Sequence, residues 1–275
     1  MRRSLYLFSL IFTIGFLSCQ QSSNINKDIK TITVSILPQK FIVSQISGEQ
    51  VKINVLVPED ANHETYEPTA AQMVEVGNSQ AYFSLGHLDF ENSWLNKLHQ
   101  SNPEMKIFDT STGIDLIAAE EHEHGDHTHQ SGIDPHIWLS VSAVRIQAEN
   151  ILEGLKVIDS VNGKYYEANY QKFMLTLDSL DAEIHRLFES IPSRSFMIYH
   201  PSLGYFARDY QLEQIAIEQE GKDPSPAYMK NLIDLAEAKN ISTIFISSQF
   251  SKQSALTIAE QIHAKVEEFN PTAPD

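Results

Sequence analysis

Residues 162–190 read NGKYYEANYQKFMLTLDSLDAEIHRLFES, and the spacing of their apolar side chains decides the fold. Tyr166, Tyr170, Phe173, Leu177, Leu180, Ile184 and Leu187 follow one another at intervals of 4, 3, 4, 3, 4 and 3 residues. That alternation keeps one stripe of a helix apolar, so the stretch reads as a single amphipathic helix over 162–190. At 1.5 Å per residue it runs about 40 Å, longer than a typical domain helix. An ordinary core helix would give the same pattern. A rigid backbone helix joining two lobes gives it too, and also accounts for what lies on either side.

On its N-terminal side, short β-branched or aromatic runs alternate with helical patterns. TITVSIL (31–37), VKINVLV (51–57), AYFSL (81–85) and KIFD (106–109) read as strands, and 40–47, 69–77 and 90–99 as helices. After Pro192 the alternation restarts, with SFMIY (195–199), EQIAI (213–217), TIFIS (243–247) and KVEEF (265–269) as strands and 203–209, 225–239 and 251–264 as helices. Strands spaced by helices imply parallel sheets with helices on their faces. The expected fold is α/β with two lobes, each a four-stranded, mainly parallel sheet flanked by helices. Residues 31–161 form the N-terminal lobe, 162–190 the linking helix and 191–275 the C-terminal lobe.

Composition narrows the function. With 42% hydrophobic residues in 275, the chain can bury two cores and is not disordered. Asp plus Glu number 36 against 20 Lys plus Arg, and a net charge of −16 excludes a phosphate-backbone partner such as nucleic acid. The one cysteine, Cys19, permits neither an internal disulfide nor a thiolate zinc cluster. Arg2 and Arg3 precede an apolar run from Leu5 to Leu17, too short to span about 30 Å of hydrocarbon as a helix. Residues 1–19 therefore read as an export signal. Cys19 directly follows Phe16-Leu17-Ser18, which resembles a bacterial lipobox and implies a lipidated Cys19 and a membrane-anchored protein outside the cytoplasm. Residues 20–30, rich in Ser, Asn and Gln, read as a flexible tether.

Histidines occur in two settings. His122, His124, His127 and His129 crowd a loop at 120–130 together with carboxylates, Gly125 and no apolar residue, so it is solvated and suited to capturing Zn²⁺ and its neighbours. Ordering many mobile ligands costs conformational entropy, which argues against a tight cage there. The other candidates stand singly, in loops that leave strand ends: His63 and Glu64 in NHETYEP (62–68), His136 in DPHIWL (134–139), and His200 in YHPSLGYFA (199–207). Ligands of open α/β sheets bind outside the carboxyl ends of the strands, so these loops are expected to face one cleft. His87, His99, His185 and His263 read as structural or solvent-facing.

HETYEP, DPHIWL, YHPSLGYFA and the acidic histidine loop resemble the metal-binding solute-binding lipoproteins of bacterial ABC importers, of the zinc and manganese (ZnuA/TroA-like) type. The resemblance extends through EGKDPSP (220–226), QFS (249–251) and EFNP (268–271), covering nearly all of the chain after the signal. It implies two α/β lobes bridged by a long helix, with one metal between them. The partner implied is an ABC permease in the membrane, and the protein a monomer. His136 and His200 match the family's second and third ligand histidines. The first ligand motif, commonly a histidine followed by Thr-Tyr-Glu-Pro, here has Glu64 in that place and His63 one residue earlier. Either Glu64 replaces that histidine or His63 does its work with a shifted loop; Glu64 is the favoured ligand, with His63 sharing the site. Manganese-type members supply a further carboxylate past a late strand. Residues 247–251 (SSQFS) contain none, which favours Zn(II) as cargo over Mn(II). The chain ends at Asp275, where family members continue into a last helix.

Two other readings compete: a zinc hydrolase, and a lipoprotein that merely buffers metal through its loop. HETYE lacks the final histidine of a zincin helix, and no Gly-x-Ser-x-Gly, P-loop or Gly-x-Gly-x-x-Gly sequence occurs. No enzyme activity is expected.

Overall fold

Parallel strands buried on both faces need short, nearly continuous apolar runs, which AYFS (81–84) supplies in full, while edge strands such as KIFD (106–109) and KVEE (265–268) stay largely uncovered. A computed structural model of the protein describes residues 29–59, 61–118, 132–191, 193–219, 221–250 and 252–273. The N-terminal lobe runs β1 (Lys30–Val34), α1 (Leu37–Ser47), β2 (Val51–Val55), α2 (Ala70–Gly77), β3 (Ala81–Ser84), α3 (Asp89–Ser101), β4 (Lys106–Asp109) and α4 (Val141–Ile158). After α5 (Gly163–Glu189) come β5 (Ser195–Ile198), α6 (Gly204–Asp209), β6 (Glu213–Ala216), α7 (Pro226–Ala238), β7 (Thr243–Ile246), α8 (Gln253–Ile262) and β8 (Lys265–Glu268). The sheets have orders β2-β1-β3-β4 and β6-β5-β7-β8, and every pairing is parallel. Both halves thus repeat one winding. The order reverses direction between β1 and β3 in one and between β5 and β7 in the other, which opens a crevice at the carboxyl ends of those strands.

Local chemistry sets several boundaries. TITVSIL does not stay extended to Leu37: β1 ends at Val34, and Leu37 opens α1 with Pro38 in its first turn, where the missing N–H costs nothing. Lys30 already pairs with Val51, so the sheet begins inside the stretch read as tether. Thr69 caps α2 through a reciprocal pair with Gln72, and Ser225 caps α7 ahead of Pro226.

One major element, α4, falls outside the strand-and-helix alternation read from the sequence. Its buried residues Val141, Val144, Ala148, Ile151 and Leu155 repeat at helical spacing, and Ser140 caps it by accepting from the Ala143 N–H. At Gly154 the helix backbone lies so close to β3 that an added Cβ would stand 2.5 Å from the Phe83 ring. Together α4 and α1 carry α5. Tyr166, Phe173 and Leu177 of α5 are buried against them, whereas Leu180 and Leu187, further along the same stripe, are 44% and 51% exposed. The long helix is therefore anchored to the N-terminal lobe over its first half. Beyond that it reaches the other lobe through Asp181, which accepts from the Tyr210 hydroxyl at 2.7 Å.

Further bonds join the lobes directly. The Tyr205 hydroxyl donates to the Asp134 carbonyl at 2.8 Å, and the Trp138 indole N–H donates to the Pro271 carbonyl at 2.7 Å. No helix among the described residues is long and apolar enough to cross a membrane. The signal, Cys19, most of the tether and the histidine loop at 120–130 lie outside the described residues. Ala118 and Ile133 pair in an antiparallel bridge.

Candidate metal centre

His63 and Glu64 sit on the loop after β2. Its course is tied down by Gln72, which donates to the Leu56 carbonyl at 2.7 Å and accepts from the Tyr66 hydroxyl at 2.7 Å. Asn62 accepts from the Glu64 N–H at 2.9 Å, turning the chain at the two candidate ligands. His136 precedes a single 3₁₀ turn, Ile137–Leu139, that leads into α4. His200 stands two residues beyond the end of β5, an inner strand of the C-terminal sheet at its switch point.

These four side chains converge. His63 Nε2 lies 3.1 Å from His136 Nε2, and His200 Nε2 lies 3.3 Å from Glu64 Oε1 across the cleft. One ligand atom from each of His63, Glu64 and His136 lies within 4.8 Å of the others. The imidazoles of His136 and His200 meet edge to face at 5.2 Å. All three histidines are buried, at 0%, 2% and 7% exposure, which is uncommon for a side chain that gains nothing from water exclusion.

The outer nitrogens are held by carboxylates. His136 Nδ1 lies 2.7 Å from Asp134 Oδ1, and His200 Nδ1 lies 2.8 Å from Glu218 Oε1. A proton held on Nδ1 by these carboxylates turns each Nε2 toward the cleft, the orientation of metal-ligating histidines, and Nε2 binds a cation once it carries no proton of its own. His200 Nε2, though 3.3 Å from Glu64, is not aligned for a hydrogen bond and counts as a buried atom without a hydrogen-bond partner. The donor set fits zinc. Two nitrogens at 2.0–2.1 Å from a tetrahedral ion stand about 3.3 Å apart, close to both separations across this cluster.

Electrostatics follow from burial and proximity. Burial, together with the neighbouring His136, pushes His63 down to about 3, so it is neutral at physiological pH. Burial would raise Glu64, but its contact with His200 and the surrounding imidazoles hold it near 2. Burial would likewise lower His200, yet Glu218 and Glu64 outweigh it and raise it to about 9. Without metal, the cleft keeps a proton on His200 between two carboxylates from opposite lobes.

Reading the sequence found His63, Glu64, His136 and His200, and the fold brings them together. It did not find Asp134, Glu218, Trp138 or Phe250. Asp134 was recoverable as the residue two before His136. Glu218 is 18 positions from His200 and meets it only because β6 lies beside β5. His87 stands apart, 3.2 Å from Ser111 Oγ. His185 lies on α5 against Tyr210, and His263 ends α8 in a left-handed conformation. Replacing Glu218 with Gln, or Asp134 with Asn, is expected to weaken metal binding about 10- to 100-fold, as loss of an outer partner does. Competition titration against a chromophoric chelator measures it.

Residues 32–275 match the sequence model of the family described as ZnuA, zinc-uptake complex component A, periplasmic. The chain is 26% identical over 272 residues to the high-affinity zinc uptake system protein ZnuA of Bacillus subtilis, covering 96% of this chain and 85% of that protein. It is 25% identical over 273 residues to the manganese ABC transporter substrate-binding lipoprotein PsaA of Streptococcus anginosus, covering 94% and 84%. Its fold superimposes with a TM-score of 0.81 on a solved ZnuA deletion mutant with zinc bound, at 40% identity over 90% of this chain and 92% of the other.

Proposed function

The chain belongs to the ZnuA family of substrate-binding components of metal ABC transporters, and from that premise we propose that it captures Zn(II) outside the cytoplasm and delivers it to an ABC-type permease. Family members are transport proteins rather than enzymes, which sets the hydrolase reading aside. The observation that carries the proposal is the cluster of His63, Glu64 and His136, whose ligand atoms lie within 4.8 Å of one another, facing His200 of the other lobe, whose Nε2 is 3.3 Å from Glu64. Three neutral imidazoles and one carboxylate suit Zn(II). Mn(II) prefers more oxygen donors and a higher coordination number. Relatives named for manganese keep that metal as the competing cargo, as a member of the same family.

Ligands from both lobes make the cation a bridge, so occupancy stabilises the closed arrangement by its differential affinity. In this reading Cys19 carries a lipid that holds the monomeric protein at the membrane. His122, His124, His127 and His129 gather metal without forming the tight site. Deleting residues 120–129 is expected to leave one tightly bound zinc per chain, measured by metal analysis after dialysis against a weak chelator. Loss of all tight binding would identify a buffering lipoprotein instead. An anomalous-scattering map of protein purified without chelator tests the metal and its ligands together; a manganese signal there would replace zinc as the cargo.

A further inference from the structure

The crevice at the switch point of the C-terminal sheet is bounded by the loops after β5 and β7. The first carries His200. The second, residues 247–250, brings an aromatic ring rather than an oxygen donor to the same place. The Phe250 ring stacks on the His200 imidazole with centroids 4.6 Å apart and planes at 15°. Tyr199 backs it at 5.7 Å, and the Phe250 N–H donates to the Ser247 carbonyl at 3.2 Å, closing a tight turn. Its neighbour Gln249 donates to Thr272 Oγ1 at 3.2 Å and to the Ala61 carbonyl of the opposite lobe at 3.4 Å. The turn that presents Phe250 is therefore tied to the loop that carries His63 and Glu64.

His200 is enclosed as a result. Glu218 takes its Nδ1, Phe250 covers one face, His136 meets its ring at an angle, and Nε2 alone is left toward the cleft. A hydrogen bond to Glu218 fixes one ring atom but leaves rotation about that axis soft. A stacked ring removes that freedom and lays an apolar surface along that side of the imidazole.

We propose that Phe250 is a specificity-determining residue: by stacking on His200 it fixes the imidazole plane and closes the C-terminal wall of the site to a further oxygen ligand. This rests on the metal-carrier reading above. Four protein donors and an apolar wall satisfy Zn(II). They leave Mn(II), which takes about six mostly oxygen ligands, short of its preferred set.

Co(II) provides the probe, because its visible absorption is intense when tetrahedral and weak at five or six ligands. The wild-type protein is expected to give the intense spectrum. Phe250→Ala is expected to give the weak one, with the Zn(II) to Mn(II) affinity ratio falling at least about tenfold by competition. Phe250→Tyr, which keeps the stack, is expected to behave as wild type. An unchanged spectrum and ratio in Phe250→Ala would overturn the proposal. So would X-ray absorption of the wild-type zinc protein showing five or six ligands in place of four near 2.0 Å, a result that needs no variant to fold. If the wild-type chain binds neither Zn(II) nor Co(II) in a manner that His136→Ala abolishes, the metal-carrier reading fails and this inference with it. If it binds and position 250 changes nothing, only this inference fails.

Discussion

His136→Ala is expected to lower Zn(II) affinity at least about 10³-fold, more than 4 kcal/mol at about 1.4 kcal/mol per decade. His136 is 2% exposed, its Nε2 faces that of His63 at 3.1 Å, and its Nδ1 is held by Asp134. Removing it takes away an oriented ligand and leaves the Asp134 carboxylate without the imidazole it holds. Nothing nearby replaces it, since the Trp138 indole packed against the ring offers no lone pair. His200→Ala should act as strongly from the other lobe, and additionally strands Glu218, which is 9% exposed and already has one carboxylate oxygen without a partner. Single alanine changes at His122, His124, His127 or His129 should alter the tight site by no more than about threefold, because the stretch keeps three further histidines and supplies no ligand to the cleft in this reading. Competition titration of all six variants, with circular dichroism to confirm folding, decides the matter. Equal effects at the cleft and the loop would mean that the tight site lies elsewhere.

Zinc affinity should fall about tenfold for each pH unit below about 9, with about one proton released per zinc bound near pH 7.5. The proton comes from His200, raised from 6.5 to about 9 against its burial by Glu218 and Glu64. His63, lowered to about 3, has none to lose. From free imidazole values alone the fall would begin only near pH 6, so the two carboxylates move the window upward. The sign for the metal-free fold follows from the same shift. Because the folded value lies above the unfolded one, the His200 proton contributes stability that is fully present below about 6.5 and is lost as pH rises through about 9. Calorimetry of zinc binding in buffers of different ionisation heat counts the proton directly. An affinity flat from pH 6.5 to 9, with no proton released, would contradict the charge arrangement.

Much of this architecture was legible in the chain. Short β-branched or aromatic runs, alternating with helical patterns, placed all eight strands within a few residues, because an inner parallel strand has little freedom in composition and the alternation itself marks the edge strands. The long helix followed from its unbroken 4-3 spacing. By contrast, α4 was hidden although its buried positions repeat just as regularly. It abuts DPHIWL, whose chemistry drew the reading toward the site, and it has no strand of its own to pair with in the alternation. At the centre, the four ligand candidates were readable because His136 and His200 each adjoin a proline and His63-Glu64 lie in a loop that leaves a strand. Their supports were not. Glu218 and Phe250 reach His200 through strand adjacency and loop packing, and nothing in a linear sequence marks residues 18 and 50 positions away as neighbours.

The seating of α5 bears on how an empty carrier differs from a laden one. Tyr166, Phe173 and Leu177 cement the helix to α1 and α4, and Asn169 donates to the Ile46 carbonyl at 3.1 Å. A spar fastened along half its length does not swivel. Swinging the C-terminal lobe would mean flexing it past Leu177 while tearing Tyr210 from Asp181 and Trp138 from Pro271. Both forms should therefore share nearly one silhouette, and a permease that accepts one and refuses the other would have to read the lip of the cleft around Glu64 rather than the outline of the whole.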